Sequence, residues 1–186
     1  LFYHSKTFLF GNDIEIKNGY VSVVFNNAKI KIPHLTGGLS QLGRAFSLMG
    51  HDHEVKNCYQ FLINKFDINV FYDVGANFGQ HTILMLSQNI KCFAFEPNKI
   101  CHDELIALAK DNNYEKFELT SFAVGEKHSD GYLNFSKNET WLGKISLNKS
   151  SNTKVSIISL DSFSTKNDPP QLIKIDTEGF ELNVLN

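Results

Sequence analysis

The stretch Asn69–Thr82, N-V-F-Y-D-V-G-A-N-F-G-Q-H-T, constrains this chain more than any other. Val70, Phe71, Tyr72 and Val74 flank Asp73, then Gly75-Ala-Asn-Phe-Gly79 follows, and a helical run opens at Gln80. A short apolar run that ends in a glycine turn and leads into a helix is the first half of a βαβ unit. Glycine has no Cβ, so such a turn accepts unusual φ values and lets a ligand approach the main chain closely. The helix that follows points its free N–H groups at whatever sits there. The pattern is D-x-G-x-N-x-G, which differs from the dinucleotide fingerprint G-x-G-x-x-G.

Around this unit the chain alternates strands and helices. Ile14–Ile16, Val21–Val23 and Ala28–Ile32 alternate apolar and polar residues, with turn chemistry at Gly11-Asn12-Asp13, Asn18-Gly19 and Asn26-Asn27, which predicts an antiparallel β-meander. Gly37-Gly38 introduces a helix from about Leu39 to Met49. A second starts near Asp52 as N-cap, with Val55, Tyr59, Leu62 and Phe66 as its apolar stripe. After the central strand, Gln80–Ser87 is the first crossover helix and Ile90–Phe95 a strand buried on both faces. Residues from Ile100 to Asp111 form the second helix, and Phe117–Val124 the third strand. Residues 127–155, rich in Ser, Asn, Lys and Gly, break the rhythm with one hairpin-like run, Tyr132–Phe135, and the sole tryptophan, Trp141, and read as a strand pair or a mobile loop near a site. Val155–Leu160 is strand-like. Leu172–Asp176 is the fourth strand of the main sheet, and Thr177-Glu-Gly-Phe-Glu181 turns into a last helix. This alternation implies an α/β fold with a doubly wound, mostly parallel sheet. The expected organisation is a meander appendage over residues 1–35, a helical lead-in over 36–66 and the main domain over 67–186.

With 42% hydrophobic and 20% charged residues among 186, the chain is an ordinary globular domain. Eighteen basic and twenty acidic residues give a net charge of −2 with no basic run, which argues against nucleic acid as a principal partner. Cys58, Cys92 and Cys101 lack C-x-x-C spacing and read as free thiols of a reducing, cytoplasmic compartment. His51 and His53 lack acidic or cysteine partners at ligand spacing, so no metal is expected. No apolar run suits a membrane span. The chain opens at Leu1 and stops one helix after the fourth strand, which reads as a domain incomplete at its carboxyl end.

In open α/β sheets, ligands bind outside the carboxyl ends of the strands. Three strand ends here carry polar clusters: Asp73 to Gly79, Glu96-Pro97-Asn98 and Asp176-Thr-Glu178-Gly. Glu96 lies about twenty residues beyond the glycine loop, where an acidic side chain takes both hydroxyls of a ribose. Asn77 replaces a glycine and Asp73 stands just ahead of the loop. An acidic group there suits a sulfonium better than a diphosphate, which favours S-adenosylmethionine over NAD.

Y-D-V-G-A-N-F-G-Q-H-T, then F-A-F-E-P-N, S-F-A-V-G-E, S-L-D-S-F and L-I-K-I-D-T-E-G-F-E-L-N-V-L resemble, in that order, the FkbM-type methyltransferases over about residues 67–185. The resemblance implies a Rossmann-like fold of the class I methyltransferase type, S-adenosylmethionine as cofactor, and O-methylation of sugars, glycans or polyketides. It places Asp73, Gly75, Ala76, Asn77 and Gly79 around the aminoacyl end of the cofactor and Glu96 on the ribose. Pro97 and Asn98 would shape the pocket, with Ala123 and Val124 beside the adenine. The third strand lacks a terminal Asp or Asn for the adenine amine, which leaves backbone groups or Ser121.

Methyl transfer to an alcohol needs alignment of the reacting groups and a base for the departing proton. Asp176 and Glu178 are the candidates, being at the strand end nearest the methyl in this architecture. The alternatives are that Asp176 caps the next helix and Glu178 stabilises that helix's start. Asp161 reads as a helix cap. Two other functions stay open on the sequence: an NAD(P)-dependent oxidoreductase, and a non-catalytic nucleoside-binding domain. The acceptor, a small molecule or glycan, and the oligomeric state are not encoded in any motif.

Overall fold

Strand formation in the chain follows its runs of β-branched and aromatic residues, and glycine, asparagine and serine mark where each run stops. A computed structural model describes residues 13–17, 20–34, 40–136, 139–148 and 153–186, without the side chains of 135–136 and 139–142. The turns expected at Gly11-Asn12 and Asn18-Gly19, the Gly37-Gly38-Leu39 helix start and the Trp141 side chain lie outside the described residues. The chain forms two compact units, Leu1–Ile68 with Ile106–Glu115, and Asn69–Leu105 with Lys116–Asn186.

In the first unit, β1 (Ile14–Lys17), β2 (Tyr20–Phe25) and β3 (Ala28–Ile32) form an antiparallel sheet. Ile14, Val23 and Ile30 share one register row and are fully buried, so the alternation of the sequence becomes one apolar face. Asn26 and Asn27 both take left-handed φ, 44° and 68°, as a two-residue hairpin turn requires. Helix α1 (Gln41–Gly50) is capped by Ser40, whose Oγ accepts from Gly43 N–H at 3.1 Å. Helix α2 (His53–Lys65) follows Asp52, which is left-handed and makes no side-chain cap. Of the apolar stripe expected on α2, Tyr59 is buried, whereas Val55 and Phe66 are exposed.

The second unit holds a parallel sheet of order β11-β4-β5-β6, built from β4 (Val70–Val74), β5 (Lys91–Phe95), β6 (Phe117–Thr120) and β11 (Leu172–Ile175). The order reverses at β4, the first strand of the unit, which lies between β5 and the last strand, β11. Helix α3 (Gln80–Ser87) crosses from β4 to β5. A 3₁₀ turn (Lys99–Cys101) and α4 (His102–Asp111) cross from β5 to β6. Tyr72, Val74, Phe93 and Phe95 point to one side and pack with Phe163 of α5 (Leu160–Ser164). The rings of Tyr72, Phe93 and Phe95 meet the Phe163 ring edge-on at 5.7, 5.4 and 4.9 Å between centroids. Ala94 points to the other side and packs with Ala76 and Leu105.

Two expectations are corrected here. The run Phe117–Val124 is not one strand. It breaks at Ser121-Phe122, and β7 (Ala123–Val124) leaves to pair in parallel with β10 (Thr153–Ile158). Residues 127–155, which read as a strand pair or a mobile loop, carry a strand pair. They form the antiparallel pair β8 (Ser129–Ser136) and β9 (Glu139–Ser146), and β10 completes a second sheet of order β7-β10-β8-β9. Local pattern could not show this, because β7 is two residues long and its partner lies more than thirty residues away. Ser159, rather than Asp161, caps α5, accepting from Ser162 N–H at 3.3 Å.

Phe93 is 1% exposed at the centre of the aromatic cluster. Phe93→Ala should lower unfolding free energy in urea by about 3–5 kcal/mol, through lost burial and the cavity left behind.

Candidate functional site

The polar turns at the carboxyl ends of β4, β5 and β11 meet because the strands are parallel and in adjacent register. Gly75, with φ of +74°, is held against β5 by its N–H on the Phe95 carbonyl at 2.9 Å. A Cβ on Gly75 would fall 1.8 Å from the Asp176 carbonyl oxygen. No side chain fits there: the residue is glycine for space as well as for φ. Gly79, at φ +79°, has no such room either, since a Cβ would sit 2.3 Å from Leu105 Cδ1. Between them Asn77 is left-handed at φ 50°, and its Oδ1 accepts from Phe78 N–H at 2.8 Å.

Glu96 ties this turn to the next. Its two carboxylate oxygens accept separate backbone N–H groups, Asn77 at 2.8 Å and Asn98 at 2.7 Å. Burial pushes its carboxyl pKa above the ordinary value, and those two N–H groups with the nearby His102 and Lys174 oppose the shift. Each oxygen has a second lone pair, so the carboxylate can accept ligand hydroxyls while holding the loop. Asn98 Oδ1 in turn accepts from Ile100 N–H at 3.2 Å and starts the 3₁₀ turn.

The cleft these turns enclose is lined by Gly75, Asn77, Glu96, Pro97, Ala123, Val124, Asp176 and Glu178 among the positions singled out from sequence. Asp73, Ala76, Gly79 and Asn98 are not on its wall. Asp73 is fully buried behind the turn: Thr82 Oγ1 donates to its Oδ2 at 2.6 Å, and Lys174 Nζ lies 3.2 Å from Oδ1. Ala76 and Gly79 pack against Leu105. Ser121 lies on a separate groove beyond Pro97. His81 is buried and also off the wall.

Several residues that shape the site have no role in the sequence reading. Lys174 is the register partner of Asp73 and donates to the Gly75 carbonyl at 2.8 Å. The signal was a lysine inside the apolar run L-I-K-I beside an equally odd aspartate in V-F-Y-D-V. Glu181, at the start of α6 (Glu181–Leu185), closes the 176–179 turn: its Oε1 accepts from Thr177 N–H at 2.8 Å, Thr177 Oγ1 at 3.1 Å and Gly179 N–H at 3.1 Å. Those backbone N–H groups, first that of Gly179, pull the Glu181 carboxyl down to about 2. Gly143 and Ile145 bring one face of β9 to the cleft, and no local signal marks them, since that contact exists only once the second sheet has formed.

Among the described residues no group of acidic, histidine and cysteine side chains is placed to hold a metal ion, and no helix is long and apolar enough to cross a membrane. Cys92 and Cys101 are buried free thiols, and Cys58 is exposed.

The family described as Methyltransferase FkbM domain matches residues 73–186, which contain every wall residue named above. No curated protein matches the chain significantly. One similar solved structure is a candidate transferase of Pyrococcus horikoshii, 13% identical with a TM-score of 0.34. The match covers 64% of this chain and 45% of that one, so the chain spans less than half of its length. At that score the likeness carries no argument.

Removing one member of the buried pair leaves the other charge without its partner. Asp73→Asn should lower unfolding free energy by about 3–5 kcal/mol in denaturant titration. The Glu181 carboxyl is lowered from 4.5 to about 2 on folding, so its contribution to stability is complete above the unfolded value and is lost as pH falls through the folded one. The stability gap between the wild type and Glu181→Gln should therefore shrink between about pH 4.5 and pH 2. A gap independent of pH in that window would rule out the carboxylate clamp.

Proposed function

This chain belongs to the FkbM methyltransferase family, and on that premise we propose that it binds S-adenosylmethionine and methylates a hydroxyl of a sugar, glycan or polyketide-like acceptor. The observation that carries the cofactor reading is the charge of the cleft. Glu96, Asp176 and Glu178 line it, and no lysine or arginine does among the described lining residues. A dinucleotide would bring its diphosphate against three carboxylates, whereas a sulfonium brings the complementary charge. In the same reading the sheet is the Rossmann-like core of residues 67–186, with its ligand at the β4/β11 switch point.

Each part of the nucleoside has a suitable partner on the wall. Glu96 keeps free lone pairs for the ribose hydroxyls. Ala123, Val124 and Ile145 give an apolar face for the base, with main-chain groups of β7 in place of the absent Asp or Asn. Gly75 and Asn77 present bare backbone to the aminoacyl end.

S-adenosylmethionine supplies an electrophilic methyl on a positively charged sulfur. The chain's own task is to orient the acceptor hydroxyl, keep water away and take the hydroxyl proton. Asp176 and Glu178 are the carboxylates at the cleft mouth that can take it, both on the solvent side of the β11 turn.

Calorimetric titration with S-adenosylhomocysteine, with NADH as control, tests this. Binding of the former alone is expected, and binding of NADH alone would replace the reading by an oxidoreductase. Glu96→Ala removes the ribose acceptor and should weaken S-adenosylhomocysteine by on the order of tenfold or more.

A further inference from the structure

The aminoacyl end of the proposed cofactor carries an α-ammonium that needs an anionic or carbonyl acceptor when taken from water. Of the acceptors at the glycine turn, the Gly75 carbonyl takes a hydrogen bond from Lys174, while Asp73 Oδ1 is buried against the same lysine as an ion pair and takes no hydrogen bond among the described residues. Lys174 Nζ donates to the Gly75 carbonyl at 2.8 Å and pairs with Asp73 Oδ1 at 3.2 Å, and its side chain is 11% exposed. Asp73 Oδ2 takes the Thr82 hydroxyl at 2.6 Å, and the whole side chain is sealed from the cleft. Glu96 accepts the Asn77 and Asn98 N–H groups and, in the reading above, is committed to the ribose.

Asp176 differs from these. Its N–H donates to the Val74 carbonyl at 3.0 Å, which fixes it as the first residue past β11, level with the glycine turn. Its carbonyl oxygen occupies the space a Gly75 Cβ would fill. Its side chain is 64% exposed on the cleft wall, in a long ion pair with Lys174 Nζ at 3.9 Å and without a hydrogen bond to it. Glu178 lies two residues further out, in the left-handed turn closed by Glu181.

We propose that Asp176, and not Asp73, holds the α-ammonium of the cofactor, while Lys174 neutralises Asp73 and locks the glycine turn behind it. This rests on the cofactor reading above. It leaves Glu178 as the carboxylate at the cleft mouth that takes the acceptor proton. Asp176 then has a binding role that is separable from the chemical step.

The test is calorimetric, on wild type and Asp176→Asn. The probes are S-adenosylhomocysteine and its deamino analogue, in which hydrogen replaces the ammonium. Asp176→Asn should weaken S-adenosylhomocysteine by roughly ten- to a hundredfold, the range of a charge-assisted hydrogen bond. It should leave the deamino analogue within about twofold of wild type, since a variant cannot lose a contact that this ligand does not make. Unchanged affinity for S-adenosylhomocysteine would overturn the proposal, because the ammonium would then be held elsewhere. Equal losses on both ligands would also overturn it, since the side chain would then act on the nucleoside or on the fold. If wild type bound neither ligand, the cofactor reading itself would fall, an outcome distinct from the other two.

Discussion

Everything at the site depends on a buried ion pair placed by strand register. Asp73 on β4 and Lys174 on β11 face each other across a parallel ladder, on the same side of the sheet. Two charges in a protein interior are costly to strip of water, and their attraction offsets that only with good geometry and further hydrogen bonds. The further bonds here are the Thr82 hydroxyl on the aspartate and the Gly75 carbonyl on the lysine. Through them the pair joins the start of α3, the glycine turn and the outer strand. A slip of β11 by one residue would put Lys174 on the aromatic face, so the pair also specifies register.

With β11 fixed, its carbonyl at Asp176 closes against Gly75 and leaves room for no Cβ. The glycine turn is therefore shaped from two directions, by β11 and by the Phe95 carbonyl, which accepts from both Gly75 and Ala76. Glu96 then links that turn to the one after β5. The three turns form one hydrogen-bonded frame, joined by main-chain bonds and by the Glu96 and Lys174 side chains. A frame tied together in this way lowers the ordering cost of binding a ligand.

The charge of the cleft follows from the same arrangement. The lysine nearest to it is spent behind the turn on Asp73 and Gly75, so the wall itself is acidic. The sign of this cleft is opposite to that of a sulfonium and the same as that of a phosphate, which is the electrostatic basis of the proposed cofactor. The second sheet contributes the opposite quality: Ala123, Val124 and Ile145 supply apolar surface beside Phe180 on the same wall, and Ile145 packs against the cluster that holds Ala123, Leu133 and Phe180. One wall is thus acidic and the other apolar.

The sequence alone determined the local elements and the strand-end motifs. Glycine spacing, apolar runs and turn residues act over a few residues, so the β4-turn-α3 unit, β5 with Glu96, and the Asp176 turn were all legible, and the motif order carried the family. Residues that act at a distance were not. The break after Thr120 and the cleft faces of Gly143 and Ile145 follow from the second sheet, in which β7 pairs with β10 and β10 with β8. The tertiary structure also decided the orientation of Asp73. Its position ahead of the glycine loop was plain in the sequence, but only the pairing with Lys174 turns its carboxylate away from the cleft. Side-chain direction within a strand follows the pleat, and what lies on each side depends on strands distant in the chain.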